Sequence, residues 1–360
     1  MSCVLIMAGG TGGHVFPGLA VARELIARRV QVVWLGTRRG FEARAVPASG
    51  LAIDMEWITV KGLRRTGLLN WLLLPFTLMY AMAQAFRVLR RRRPDVVLSM
   101  GGFVAGPGGL MAWLTRTPLL IHEQNAIPGM TNKWLALIAD QVLTGFPDAF
   151  GQHRAARHVG NPVRAEIAAL APPERRMTAR QGRLRLLVIG GSLGAKIFND
   201  VMPEAIKSLS PDLCPEVWHQ CGRDAQVRTE SAYAGVAIKP RVVEFVDDMA
   251  AAYAWADLVL CRAGAMTVTE LAASGSASIL VPYLYAVDDH QTANARFLSE
   301  RGAAVLVPQQ ELTPARVREL LEGFAANRGL IIKMARSARG LAITDAADTV
   351  ANLCMELTHA

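Results

Sequence analysis

The sequence predicts an α/β protein of two Rossmann-like domains, and three observations carry that prediction. Short apolar runs rich in Val, Ile and Leu alternate with longer amphipathic stretches, the pattern of parallel strands covered by helices. The run LIMAGGTGGH at residues 5–14 returns in outline as LVIGGSLGA at 187–195, each a buried strand entering a glycine-rich turn and then a helix. A chain of 360 residues suits two domains, each of ~180 residues.

Taken in order, strands are expected at 4–8, 30–35, 96–100, 119–122 and 141–144 in the first half. In the second half they are expected at 184–190, 216–220, 242–245, 258–261, 277–281 and 304–307. The polar stretch Pro172-Pro173-Glu174-Arg175-Arg176, followed by Arg180-Gln181-Gly182, puts the domain boundary between 160 and 183. We therefore expect domains at 1–162 and 163–343. Ala346, Val350, Leu353 and Leu357 recur at helical spacing behind Thr344 or Asp345 as N-cap, so 344–360 reads as a closing helix. It is free to pack on either domain and is assigned to the first.

Composition narrows the class. Hydrophobic residues make up 52%, mean hydropathy is +0.25 and charged residues are 19%, below the ~25% of an average soluble domain, which hints at apolar surface with a use. The five cysteines form no C-x-x-C pair, so neither a zinc site nor a disulfide framework is suggested, and a reducing compartment fits. No basic segment precedes the apolar run 4–8, which reads as a first strand and not as a signal peptide.

Three glycine-rich loops follow expected strands, at 9–13, 101–109 and 190–194. Where such a loop feeds a helix, free backbone N–H groups and the helix dipole favour a phosphate. Glycine alone would also serve a tight strand-to-helix turn, but three such loops in one chain favour a ligand. No G-x-x-x-x-G-K-[ST] is present, and the second strand ends Leu35-Gly36-Thr37 without an acid, so P-loop chemistry and NAD are disfavoured. His14 directly follows the first loop, where the positive helix end favours the neutral ring and suits a general base; a hydrogen-bonded turn histidine is the alternative. His122-Glu123-Gln124-Asn125 ends a strand, where α/β sheets place ligand contacts, though as a bare tetrapeptide it reads as a polar loop. Glu270, in CRAGAMTVTE at 261–270, falls on the first or second turn of a helix. It either complements the helix dipole or grips vicinal hydroxyls such as a ribose offers.

The net charge of +9 is concentrated. Residues 57–94 hold no acid and eight bases, Lys61, Arg64, Arg65, Arg87 and Arg90 to Arg93, around an uncharged stretch at 68–86. A spanning helix needs ~20 apolar residues, but Asn70, Pro75 and Gln84 argue against one. Part of the stretch is expected inside the domain. The rest suits peripheral membrane binding, with apolar side chains in lipid and Arg and Lys at anionic headgroups. Aromatic residues for stacking on bases are sparse, so nucleic acid is disfavoured.

In this order and spacing the segments resemble the MurG family of peptidoglycan N-acetylglucosaminyltransferases, which have the GT-B fold. The matching stretches are MAGGTGGHVFPGLAVA at 7–22, GGFVAGPGG at 101–109, HEQN at 122–125, GNPVR at 160–164, GGSLGA at 190–195, EFVDDMAAAYAWAD at 244–257, CRAGAMTVTE at 261–270 and HQTANA at 290–295. The resemblance implies two Rossmann-like domains with parallel sheets facing a central cleft. It also implies inverting transfer of GlcNAc from UDP-GlcNAc to the muramyl sugar of lipid I, giving lipid II. Donor contacts are implied at Thr11, Gly12, Gly13, Asn125, Arg164, Ser192, Val246, Ala265, Met266, Thr267, Val268, Thr269, Glu270 and Gln291. Of these, Glu270 matches the ribose-binding acid and the backbone around Val246 the uracil site, while His14 matches the proposed base. Leu193 departs from the polar residue common in GGSxGA. No cofactor or metal is implied, since no D-x-D motif ends a strand and positive helix ends would neutralise the departing UDP. Location at the cytoplasmic face of the inner membrane is implied, with other cell-wall synthesis proteins as possible partners. Two rivals remain: a UDP-GlcNAc 2-epimerase of similar fold, and a membrane scaffold that binds UDP-sugar without catalysis. The basic, apolar segment 61–93 speaks against the first and His14 against the second.

Overall fold

The computed structural model describes residues 2–60, 68–151, 156–178, 180–191 and 194–358, without the side chains of 68–74 and Val287. The chain divides into two units, Met1–Arg164 with Ile343–Ala360, and Ala165–Ala342.

The first unit is a parallel sheet of β1 (Cys3–Ala8), β2 (Gln31–Gly36), β3 (Ile53–Trp57), β4 (Val96–Gly101), β5 (Leu119–Glu123), β6 (Gln141–Thr144) and β7 (Ala156–His158), in the order β3-β2-β1-β4-β5-β6-β7. Because side chains alternate across a strand, each central strand feeds two cores. Val4, Ile6, Val32, Trp34 and Leu98 pack with helix Gly12–Ala27 on one face. Leu5, Met7, Val33, Leu35 and Val97 pack on the other with helices Leu68–Arg92 and Ala105–Leu114. The closing helix Ala346–Thr358 buries Val350, Ala351, Leu353 and Cys354 in the first of these cores, and Asp348 pairs with Arg28.

Two strands were not expected. β3, IDMEW, is an edge strand whose Asp54 and Glu56 interrupt the apolar run, and β7 is a three-residue edge. The uncharged stretch 68–86 lies in a helix that continues to Arg92 and includes Pro75. Among the described residues no helix is long and apolar enough to cross a membrane.

The second unit is a parallel sheet of β8 (Arg185–Ile189), β9 (Glu216–Gln220), β10 (Arg241–Val243), β11 (Leu258–Cys261), β12 (Ala277–Leu280) and β13 (Ala304–Leu306), ordered β10-β9-β8-β11-β12-β13. That is the 3-2-1-4-5-6 order of a Rossmann sheet, with the reversal between β8 and β11. The glycine-rich loops leave the carboxyl ends of strands at the reversals, β1 and β4 in the first unit and β8 in the second, where open α/β sheets bind ligands.

Candidate active site

In the first unit the loops after β1 and β4 touch. Gly101 and Gly102 take φ of +97° and +87°, and a Cβ on Gly102 would stand 2.2 Å from the carbonyl oxygen of Gly9. The two loops approach this closely only because no side chain intervenes. Thr11 is the exposed N-cap of helix Gly12–Ala27, whose first turn holds no acid. Its leading amides, with those of Gly12 and Gly13, are the ones a helix leaves without intrahelical partners. His14 is half-buried in that first turn, and a Cβ on Gly101 would press on its ring at 3.1 Å.

The His14 ring is tied to the end of β5. Its Nδ1 lies 2.8 Å from Oε1 of Gln124. The Gln124 Nε2 lies 3.1 Å from Nδ1 of His122 and donates to the His122 carbonyl at 3.1 Å. His122 Nε2 in turn lies 2.9 Å from the carbonyl oxygen of Gly160. Burial pushes the His122 imidazole down to about 4, against the opposing pull of that carbonyl and of Glu123. The buried Glu123 carboxylate organises the next loop. One oxygen accepts from the amide and Nδ2 of Asn125 at 2.9 and 3.1 Å, the other from the amide of Gly129 at 3.1 Å and Nδ2 of Asn132 at 2.8 Å. Asn161 Nδ2 donates to the Gln124 carbonyl at 3.0 Å. Arg164, three residues on, lays its guanidinium 5.4 Å from the ring centre of Phe16. Thr11, Gly12, Gly13, His14, Asn125 and Arg164 thus gather at one end of one sheet.

In the second unit, Gly190, Gly191 and Gly194 shape the loop after β8. A Cβ on Gly194 would meet the carbonyl oxygen of Cys221 at 2.4 Å, and Gln220 Nε2 donates to the Gly191 carbonyl at 2.8 Å. Ser192 and Leu193 lie outside the described residues. The loop after β11 leads through N-cap Gly264 into helix Ala265–Ser274, which has no acid in its first turn. Glu270 is the sixth residue of that helix, a full turn beyond the amides whose charge it was thought to complement, so the dipole explanation does not apply. It is buried, and accepts a hydrogen bond from the Tyr253 hydroxyl at 3.2 Å. The Thr269 hydroxyl donates back to the Ala265 carbonyl at 2.9 Å, Val268 is fully buried, and the Val268 amide donates to the Gly264 carbonyl at 2.9 Å. Val246 is buried likewise. Gln291 accepts from the amide of Tyr283 at 2.9 Å, and the buried Asn294 donates to the Ala263 carbonyl at 3.2 Å, so the helix His290–Ser299 is pinned to the loop after β11.

Arg262 was not singled out from the sequence. It donates to the carbonyls of Val281 and Pro282 at 3.2 and 3.3 Å and lies over Phe198 at 4.9 Å, beside the N-terminus of helix Ala265–Ser274. Its burial lowers the guanidinium below its ordinary range. Glu42, Glu123 and Gln124 were also not assigned roles. For the last two the signal was present in the HEQN tetrapeptide. Among the described residues no cluster of three His, Cys, Asp or Glu side chains is set to hold a metal ion.

Away from these loops the first unit carries exposed apolar side chains on three neighbouring helices. Phe76, Met79 and Tyr80 are on Leu68–Arg92, Trp113 and Leu114 on Ala105–Leu114, and Met130 and Trp134 on Met130–Leu135. Lys61, Arg64 and Arg65 lie outside the described residues. Within the basic run 90–93, Arg91 pairs with Glu56, and Arg92 pairs with Glu56 at 2.6 Å and Asp54 at 2.8 Å. Arg87 and Arg90 remain on the exposed side, Arg90 lying 6.0 Å from the Phe86 ring centre.

Comparison with known proteins agrees with this geometry. The glycosyltransferase family 28 N-terminal domain matches residues 4–144 and the family 28 C-terminal domain residues 185–350. The chain is 53% identical to the UDP-N-acetylglucosamine–N-acetylmuramyl-(pentapeptide) pyrophosphoryl-undecaprenol N-acetylglucosamine transferase of Nitrosococcus oceani, over 98% of each chain. It is equally similar, at 53% and the same coverage, to the transferase of that name from Nitrosomonas europaea. The crystal structure of Acinetobacter baumannii MurG matches with a TM-score of 0.84 and 39% identity, over 99% of this chain and 100% of the other. A UDP-GlcNAc 2-epimerase from Neisseria meningitidis, solved with UDP-GlcNAc, matches at 12% identity and a TM-score of 0.68, over 99% of this chain and 100% of the other, and shares the fold alone. The fold class expected from the sequence, two Rossmann-like α/β domains of GT-B type, is the one found. The chain belongs to glycosyltransferase family 28 and, within it, to the MurG transferases.

Proposed function

We propose that the chain transfers GlcNAc from UDP-GlcNAc to the muramyl hydroxyl of lipid I with inversion, releasing UDP and forming lipid II. The observation that carries this reading is the placement of His14, in the first turn of a helix that opens on a glycine-rich loop and has no acid in that turn. The unprotonated ring nitrogen takes the acceptor proton as the hydroxyl oxygen bonds to the anomeric carbon. The bond from that carbon to the UDP oxygen breaks in the same displacement, so one base suffices and no covalent intermediate forms.

The second unit supplies the UDP contacts: the backbone around Val246 for uracil, Glu270 for the ribose hydroxyls, and the helix end at Ala265 to Thr267 for the diphosphate. Arg262 adds a positive charge beside that helix end, where charge develops on the departing UDP. Val268, Thr269, Ser192 and Gln291 complete the donor contacts of this unit. Thr11, Gly12, Gly13, Asn125 and Arg164 are donor contacts from the first, whose glycine loop also suits the diphosphate of lipid I. The apolar surface of the first unit, with Arg87 and Arg90, holds the protein peripherally on an anionic membrane, at the cytoplasmic face where a nucleotide-sugar is available.

The test is transfer from labelled UDP-GlcNAc to a lipid I analogue, comparing the wild type with His14→Ala. We expect a loss of about 10²–10⁴-fold in kcat with donor binding retained. Intact transfer in the variant would remove His14 as base. Conversion of UDP-GlcNAc to its C2 epimer without acceptor would replace the transferase reading altogether.

A further inference from the structure

The first unit contains an unbroken hydrogen-bond chain, Gly160 carbonyl–His122–Gln124–His14, that ends on the proposed base. We propose that Gln124 and His122 are positioning residues that hold His14 in the tautomer with its proton on Nδ1, leaving the Nε2 lone pair to receive the acceptor proton. The inference rests on the reading of His14 as base only for its catalytic consequence; the tautomer itself follows from the chain.

Two carbonyl oxygens fix the direction, because a carbonyl can only accept. The Gly160 oxygen is 2.9 Å from His122 Nε2, so that nitrogen carries the proton and Nδ1 of His122 is the acceptor. The carbonyl of His122 and its Nδ1 both face the same end of the Gln124 amide, each at 3.1 Å. That end must therefore be the NH2 group, since a reversed amide would set its oxygen against two acceptors at once. The amide oxygen is then the atom 2.8 Å from His14 Nδ1, and this nitrogen must donate. Asn161 secures the backbone of the intermediary by donating to the Gln124 carbonyl at 3.0 Å.

The chain is also insulated. His122 has no exposed surface and Gln124 almost none, so water does not compete for their donors and acceptors. Gly101 closes the side of the His14 ring, where a Cβ would stand 3.1 Å from both Cε1 and Nδ1. When His14 takes up a proton on Nε2, its Nδ1–H keeps the same neutral acceptor, and no rearrangement accompanies the transfer. This is the division of labour by which a second group fixes the tautomer and orientation of a base.

The test reads the tautomer directly. Full-length protein with ¹⁵N-labelled histidine is examined at pH 8 by long-range ¹H–¹⁵N correlation, with the His14 signals assigned by their loss in His14→Gln. We expect Nδ1 protonated and Nε2 unprotonated in the wild type. Gln124→Leu removes the acceptor and should shift His14 toward the Nε2–H form that free histidine favours, lowering kcat about 10-fold or more while KM for UDP-GlcNAc stays within about twofold. A wild-type His14 with its proton on Nε2 overturns the proposal, and so does Gln124→Leu with tautomer and kcat both unchanged. Because the wild-type spectrum needs no variant beyond the assignment, a misfolded Gln124→Leu does not shield the proposal. The expected spectrum combined with intact transfer in His14→Ala supports the relay and sinks the base reading alone.

Discussion

The carboxylate of Glu42 accepts a hydrogen bond from the amide of Gly10 at 3.1 Å, tying the first glycine-rich loop to the segment that follows β2. Its other oxygen accepts from the amide and the hydroxyl of Thr37, both at 2.8 Å. The side chain is fully buried, and Gly9, Gly36 and Gly40 make room for it: a Cβ on Gly40 would lie 2.2 Å from the carboxylate oxygens. Glu42→Ala strands three donors, on the exposed Gly10 and the half-buried Thr37, so water recovers part of the about 1–3 kcal/mol that each would cost if fully buried, while the emptied carboxylate site adds a cavity. We expect a total destabilisation of about 2–4 kcal/mol from the urea unfolding midpoint, and a smaller loss for Glu42→Gln. An unchanged midpoint in Glu42→Ala would show that the loop does not depend on this anchor.

Gly102→Ala tests the contact between the loops after β1 and β4. The new Cβ would fall 2.2 Å from the Gly9 carbonyl oxygen, on a residue with φ of +87°. Left-handed strain alone costs about 1–2 kcal/mol, and the collision displaces the loop that precedes His14. Transfer should fall at least about 10-fold, the order of loss expected when a base shifts by a fraction of an ångström. Wild-type kinetics in this variant would mean that the loop contact does not position the base.

Glu270 gives a prediction specific to the sugar of the nucleotide. If its buried carboxylate grips the ribose hydroxyls, the wild type binds UDP more tightly than 2′-deoxy-UDP, by about 1.5–3 kcal/mol for a hydrogen bond to a charged group. Glu270→Gln should weaken UDP binding and nearly abolish that preference in calorimetric titrations. A preference that survives the substitution places the ribose contact elsewhere.

Two buried histidines set how stability responds to acid. Burial lowers His122 to about 4 and His219 to about 3, each from an ordinary 6.5. As pH falls below 6.5 the unfolded chain binds a proton that the folded chain refuses, so stability is lost through the window from 6.5 down to these values. The slope is about 1.4 kcal/mol per pH unit for each group. Above 6.5 neither contributes a slope. His219→Gln should remove about one proton from the pH dependence of the urea-derived stability of the second unit between pH ~6 and ~4; an identical slope in the variant argues against this assignment.

The sheets and their glycine loops were legible because buried parallel strands are apolar on both faces, as in Val4–Ala8, and because a strand running into glycines has few other meanings. β3 was not, since Asp54 and Glu56 look like loop residues until Arg91 and Arg92 are seen to neutralise them from 35 or more residues away. Glu42 was hidden for the same reason, and the HEQN tetrapeptide marked Gln124 without revealing its partner. Each acts through groups distant in sequence, Gly10 and His14, and no local periodicity reports such a contact. His14 stood out only because its partner loop is adjacent in the chain.

The same ion pairs sort the basic cluster into two roles. Arg87 and Arg90 are exposed beside the apolar side chains of helix Leu68–Arg92, whereas Arg92 is committed to Glu56 and Asp54. Each free base near an anionic surface contributes about 1 kcal/mol, so Arg87→Gln with Arg90→Gln should weaken flotation with anionic phospholipid vesicles roughly 10- to 30-fold at low salt, on that scale of two charges. Arg92→Gln should leave flotation nearly unchanged and instead lower the unfolding midpoint, because the buried Glu56 loses one of its partners. Neutral vesicles should still retain part of the protein, independently of salt, through Phe76, Met79, Tyr80 and Trp134. Equal, salt-insensitive binding to neutral and anionic vesicles would count against the electrostatic part. If Arg92→Gln lost as much flotation as the Arg87 and Arg90 pair, the division of roles would fail, since a charge already held by two carboxylates has little left to offer a headgroup.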